Sequence, residues 1–180
     1  MRDLSVGLDR GVPRTEQDMG ATHNSGLSTE IMRRVIALAH ENIRLGGGPF
    51  AAVVVKDGRI VAEGVNQVIA TNDPTAHAEV VAIRAACKAL ATHQLTGCDL
   101  YTSCEPCPMC LGAVYWARPA RIFYAGTAGD AAVAGFDDAF IYDEIALSHG
   151  TRRIPMQEIL REEGIGVFDA WIAKTDKTPY

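Results

Sequence analysis

The first sustained apolar pattern begins near Ser28, where Ile31, Val35, Leu38 and Ile43 recur at close to helical spacing. Ser28 stands where an N-cap belongs and Gly46-Gly47-Gly48-Pro49 ends the run, so the spacing predicts a core-facing first helix. Phe50 to Val55 is then a continuous β-prone run, Asp57-Gly58 is a hairpin signal, and Arg59 to Glu63 reads as the return strand. A loop of turn formers, Thr71-Asn72-Asp73-Pro74-Thr75, leads to a second helix that carries His77 and Glu79. Along that helix Val80, Ile83, Cys87 and Leu90 share one face, which makes Cys87 a small core residue. Cys98 to Ser103 is a third strand, and Pro106 and Pro108 flank Cys107 where another helix starts. Arg121 to Ala125 is a fourth strand, parallel to the third because a helix intervenes. Beyond it the periodicity weakens: short helices are expected over Ala131 to Ala134 and Phe140 to Ala146, a last strand over Ile154 to Leu160, and a terminal helix over Val167 to Ala173.

An opening hairpin followed by alternating strands and helices argues for an α/β fold, a three-layer α/β/α sandwich with a mixed five-stranded sheet. Residues 1–26 are polar and aperiodic and are expected to form a mobile extension, leaving 27–180 as a single domain. At 180 residues, 48% hydrophobic and 22% charged, such a domain buries about two-thirds of its unfolded surface and needs no covalent staple.

Charge narrows the partners. Seventeen Lys and Arg against 22 Asp and Glu leave a net charge of -5, and no basic run interleaved with aromatics offers itself to a phosphate backbone. No nucleic-acid or membrane partner is expected, since no apolar stretch approaches the roughly 18 residues a span needs. The N-terminal segment carries Asp3, Asp9, Glu16 and Asp18 rather than a secretory core, which points to the cytoplasm. The cysteines agree. Their number is odd, and Cys104, Cys107 and Cys110 are too crowded to pair with one another without strain, so metal binding in a reducing compartment is the better reading.

The chemistry sits in Thr75-Ala76-His77-Ala78-Glu79 and Cys104-Glu105-Pro106-Cys107-Pro108-Met109-Cys110. Two thiols spaced as Cys107-x-x-Cys110 at a helix start share one side of the first turn, where unpaired N–H groups and the positive helix end favour thiolates. With His77 as third ligand they form a zinc site that keeps one position for water, and Glu79 is the natural proton acceptor beside it. Residues two apart on an ideal helix face nearly opposite ways, so His77 and Glu79 can serve one site only if His77 lies at an irregular helix entry. A closed structural site of His77, Cys104, Cys107 and Cys110 satisfies the same residues without any activity.

His77-Ala78-Glu79 followed by Pro106-Cys107-Pro108-Met109-Cys110 resembles the zinc-dependent cytidine and purine deaminase superfamily. Gly47-Gly48-Pro49-Phe50, Asn72 to Glu79, Thr102 to Ala113, Tyr115-Trp116-Ala117-Arg118-Pro119 and Ala134 to Asp138 extend the likeness to the small bacterial guanine deaminases over roughly residues 28–180. The resemblance implies a cytidine-deaminase-like fold and one Zn²⁺ per subunit on His77, Cys107 and Cys110. It implies proton transfer by Glu79, and substrate contacts by Phe50, Asn66, Ala78, Trp116, Asp138 and Tyr180. It implies, too, hydrolysis of guanine to xanthine and ammonia by a homodimer that exchanges C-terminal segments, the tail with Tyr180 closing over the partner's pocket and Trp116 supplying an aromatic wall across the interface. Deamination of guanosine, deamination of a tRNA adenosine, and a non-catalytic zinc-stabilised interaction module are the alternatives.

Overall fold

The computed structural model describes residues 25–178. Its elements in chain order are α1 (Ser25–Arg44), β1 (Ala51–Lys56), β2 (Arg59–Val65), α2 (Val68–Thr71), α3 (Ala78–Leu90), β3 (Cys98–Cys104), α4 (Pro108–Ala117), β4 (Arg121–Gly126), α5 (Ala128–Val133), α6 (Ala139–Ala146) and α7 (Arg161–Ala173). The expected N-terminal extension lies outside the described residues except for Ser25 and Gly26, which already belong to α1. Helix α1 thus starts three residues before Ser28, whose hydroxyl pairs with the Tyr101 hydroxyl at 2.8 Å instead of capping.

Asp57 and Gly58 take positive φ values of 50° and 73°, the geometry a tight hairpin needs, and β1 and β2 pair antiparallel across them. β1 also pairs antiparallel with β3, and β3 pairs parallel with β4, giving the order β2-β1-β3-β4. β1 is central and buried on both faces, which explains its unbroken apolar run. Alternation along it divides the core: Ala51, Val53 and Val55 pack with Ile31, Val35 and Ala39 of α1. Ala52 and Val54 face Ala78, Ala82 and Ala86 of α3 and Val114 and Ala117 of α4. Each fully buried valine contributes about 1.5–3 kcal/mol. Helices on both faces make the three layers.

Among the described residues the sheet has four strands, not the five expected. The expected strand over Ile154 to Leu160 is irregular chain, with Ile154 and Ile159 exposed. Pro155 removes a ladder donor from that segment, which pairs with none of the four strands. The terminal helix, for its part, begins at Arg161, six residues before the expected Val167.

Candidate active site

Two close approaches bring the chemistry together. Gly64 on β2 lies so near α3 that a Cβ there would meet Ala78 O and Ala82 N, each at 2.5 Å, so only glycine lets the helix entry press onto the sheet. Before that entry, Asp73 Oδ1 accepts from Thr75 N at 2.8 Å and Thr75 Oγ1 at 2.7 Å, an Asx turn that steers the chain inward. Gln67 N donates to Ala76 O at 2.9 Å and ties the turn to the end of β2. His77 is then the N-cap of α3 with an extended backbone (φ -69°, ψ 153°), the irregular entry that lets His77 and Glu79 face one cavity.

Cys107 caps α4 in the same fashion: its backbone is extended (φ -63°, ψ 167°), its sulfur accepts from Cys110 N at 3.4 Å, and Pro108 follows. The imidazole Nδ1 of His77 lies 3.5 Å from the sulfur of Cys107 and 3.5 Å from that of Cys110. The three donor atoms fall within 4.8 Å of one another and can hold one metal ion. One imidazole and two thiolates are a donor set that suits zinc and balances its charge. The two thiols differ: hydrogen bonds from Cys110 and His77 bring Cys107 down to about 4. Cys110 is pushed up by its closeness to Cys107 and by burial. Cys104 stands apart from this group. Its thiol donates to Thr127 O at 3.5 Å, and burial raises it to about 11. Among the described residues the cluster therefore has three protein ligands, not the four of a closed structural site.

Glu79 is buried beside the cluster, and burial lifts its carboxyl above the ordinary range. Its Oε1 accepts from Thr102 Oγ1 at 3.3 Å and its Oε2 from the Cys110 thiol at 3.4 Å. His77 is raised, chiefly by its hydrogen bond to Cys107. Thr102 opens the Thr102 to Ala113 stretch of the resemblance, but the sequence assigns it no role at the site; the alternation of β3 puts it on the same face as the core residue Leu100.

The cavity in front of this group measures about 680 Å³. Phe50, Asn66 and Asp138 line it with His77, Glu79 and Cys107, and so do Glu105 and Phe136, which sequence reasoning had not singled out. The rings of Phe50 and Phe136 meet edge to face at 4.9 Å, so two aromatic residues share a wall. Asn66 Oδ1 accepts from Val68 N at 3.3 Å, which gives it a turn role as well. The Asp138 carboxyl is raised, first by burial and then by the Cys107 charge. Ala78 is buried in the core at the first position of α3, and Trp116 is 66% exposed on α4, outside the lining of this cavity. Tyr180 lies outside the described residues.

Residues 27–126 match the family described as the cytidine and deoxycytidylate deaminase zinc-binding region. The chain is 56% identical to the guanine deaminase of Bacillus subtilis (strain 168) over 150 residues, covering 83% of this chain and 96% of that protein. It is 39% identical to the tRNA-specific adenosine deaminase of Agrobacterium fabrum over 119 residues, 63% of this chain and 78% of that one. A solved structure of guanine deaminase from Bacillus subtilis superposes with a TM-score of 0.81 at 56% identity, covering 83% of this chain and 96% of the other. One of guanine deaminase from Nitrosomonas europaea gives 0.58 at 38% identity, over 59% of this chain and 63% of the other. The fold is cytidine-deaminase-like, and the chain belongs to the cytidine and deoxycytidylate deaminase zinc-binding family.

Proposed function

We propose that residues 27–180 form one catalytic domain, a zinc-dependent aminohydrolase that converts guanine and water to xanthine and ammonia. The observation that carries this reading is the buried Glu79 carboxyl beside the His77, Cys107 and Cys110 donors in a cavity of about 680 Å³ walled by Phe50, Phe136 and Asn66. Similarity to a guanine deaminase over 83% of the chain supports guanine as the amine. Its greater extent than the match to the tRNA enzyme, together with the net charge of -5, weighs against a phosphate-backbone substrate.

In this reading His77, Cys107 and Cys110 would hold one zinc ion, which would supply the Lewis acidity that makes a water a nucleophile near neutral pH. Glu79 moves the protons. It accepts one from the attacking water, passes it to ring N3 as the C2–O bond forms, and carries a second to the amine as the C2–N bond breaks. Burial suits it to both roles, because a raised carboxyl retains a proton long enough to deliver it. Phe50 offers a face or edge to the base, and Asn66, with Oδ1 engaged by Val68 N, presents its Nδ2 donors to the purine edge. Asp138 accepts from purine N–H groups, and Ala78 supplies a first-turn N–H at the helix entry.

A homodimer with exchanged C-terminal segments completes the proposal. Val167, Phe168 and Ile172 on α7 are each close to 70% exposed, more apolar surface than an isolated helix keeps in water. Between α1 and β4 runs an open groove lined by Met32, Ile36 and Ile122, and α7 of a second copy fits its chemistry. Trp116, exposed on α4, suits a role as the neighbouring subunit's wall, and Tyr180 one as the lid over its pocket. A cytoplasmic location is supported by five free thiols, and among the described residues no helix is long and apolar enough to cross a membrane.

Ammonia release by the zinc-loaded protein from guanine, guanosine, adenine, cytidine and cytosine tests the substrate. Turnover of guanine above the others is expected; turnover of guanosine with none of guanine overturns the assignment.

A further inference from the structure

Asn42, Glu79 and Thr102 are the buried polar or charged side chains among the described residues. Glu79 and Thr102 meet at the metal-ligand cluster. Asn42 does not: it sits near the end of α1, outside the cavity lining, and its burial calls for another explanation.

Its amide Nδ2 donates to Gly48 O at 2.8 Å and to Asn66 O at 3.0 Å. Both partners are carbonyl oxygens, so the nitrogen must face them and no acceptor can replace it. Asn42 also accepts at its own carbonyl from Gly47 N at 2.8 Å. The two stretches it joins are the two that carry the aromatic and amide groups of the cavity wall. Gly48 leads through Pro49 to Phe50, whose carbonyl accepts from Asn66 N at 3.0 Å. On the far side, Ser103 Oγ accepts from Ala51 N at 3.1 Å and approaches Pro49 O at 3.4 Å, so the corner bearing Phe50 is held from α1 and from β3 at once. Gly47 seals the arrangement, since a Cβ there would come within contact of the Asn42 amide at 2.4 Å from Nδ2.

We propose that Asn42 is a positioning residue for base recognition: one buried amide fixes the Gly48–Phe50 corner and Asn66 as a single wall, so that the Phe50 ring and the Asn66 amide meet the substrate in register. This deepens the guanine reading and rests on it. Free of contact with the reacting atoms, Asn42 acts on binding more than on chemistry, and its loss takes away affinity felt equally in ground and transition states.

The test is a double-mutant cycle on guanine turnover with Asn42→Ala, Asn66→Ala and the pair, with zinc content measured for each. The expected result for Asn42→Ala is a KM raised about tenfold with kcat little changed and zinc retained. The double variant is expected to lose less in kcat/KM than the two single losses multiplied together, because part of what Asn42 does is exercised through the Asn66 side chain. A merely structural role gives additive losses, or a fall in kcat that follows zinc loss, and either result overturns the proposal, as does an unchanged KM. Gly47→Ala displaces the same amide from the other side; should Asn42→Ala fail to fold, an unchanged KM in Gly47→Ala overturns the proposal and a matching rise supports it. Wild-type protein inert on guanine but active on another amine of the panel ends the guanine reading alone, and the same cycle then decides on that amine. Protein inert on every amine ends both.

Discussion

Replacing Thr102 with valine removes one buried hydroxyl and leaves shape, β-branching and strand propensity in place. Thr102 Oγ1 lies 3.3 Å from Glu79 Oε1, and both residues are buried. A hydrogen bond to a charged group contributes about 1.5–3 kcal/mol, and a separation longer than the usual O–H···O distance argues for the lower end. About 1.5 kcal/mol corresponds to roughly a tenfold change in rate. The loss should fall on kcat, because the hydroxyl aims the carboxyl that moves the protons. Metal content should not change, since Thr102 is not among the metal-ligating atoms. The valine methyl sits in the layer of Leu100 and Cys98, so the free energy of unfolding should fall by no more than about 1.5 kcal/mol. Steady-state kinetics on guanine, with zinc measured on the same samples, is the assay, and Thr102→Ser, which keeps the hydroxyl, should recover most of the rate. An unchanged kcat in Thr102→Val, or a loss that tracks missing zinc, refutes the assignment of Thr102 as the support of Glu79.

Cys104→Ser should retain one zinc per chain, whereas Cys107→Ser should lose it, as measured by metal analysis after dialysis; zinc loss in Cys104→Ser means the site is closed by four protein ligands. Gly64→Ala places a methyl 2.5 Å from two backbone atoms of α3, so the helix must retreat by about 1 Å, costing about 1–3 kcal/mol in stability and about a hundredfold in turnover; wild-type kinetics would show that the close approach is dispensable. In metal-free protein the Cys107 thiol loses its proton above about 4 and that of Cys104 only above about 11. Alkylation at neutral pH should therefore modify Cys107 before Cys104, and peptide mapping that finds the reverse order contradicts a Cys107 thiol lowered by its neighbours.

Much of the fold was legible because local signals agreed with tertiary placement. Asp57-Gly58 marked a hairpin whose positive φ values only such residues accept readily, and the continuous apolar run of β1 matched burial on both faces. The parallel pairing of β3 and β4 followed from the helix between them. The C-terminal third was harder to read, since its apolar residues do not face a core within the chain. Ile154 to Leu160 carries strand-like composition but joins no sheet, and Gly164 and Gly166 disguised the first turns of α7 as a break. The short α2, four residues ending where the turn formers begin at Thr71, is too brief to show a period. At the site, the two motifs and the resemblance picked out His77, Glu79, Cys107 and Cys110, and the structure brings the His77, Cys107 and Cys110 donor atoms together: Cys104 ends β3, and the other two cysteines open α4. Roles for Thr102 and Asn42 were not legible, because Thr102 reads as one more strand residue and Asn42 as one more helix residue until their acceptors, the Glu79 carboxyl and the Gly48 and Asn66 carbonyls, are placed.

The central claim is that a buried carboxyl beside a three-ligand zinc site carries the protons of guanine deamination. Glu79→Gln tests it most directly: it keeps size and burial but cannot exchange protons, and Glu79 is not one of the ligating residues. Xanthine formation from guanine, followed with zinc content and folding measured in parallel, should show a fully metallated, folded variant whose turnover has fallen by about 10²–10⁴. A folded, zinc-loaded Glu79→Gln protein that deaminates guanine at the wild-type rate would contradict the account.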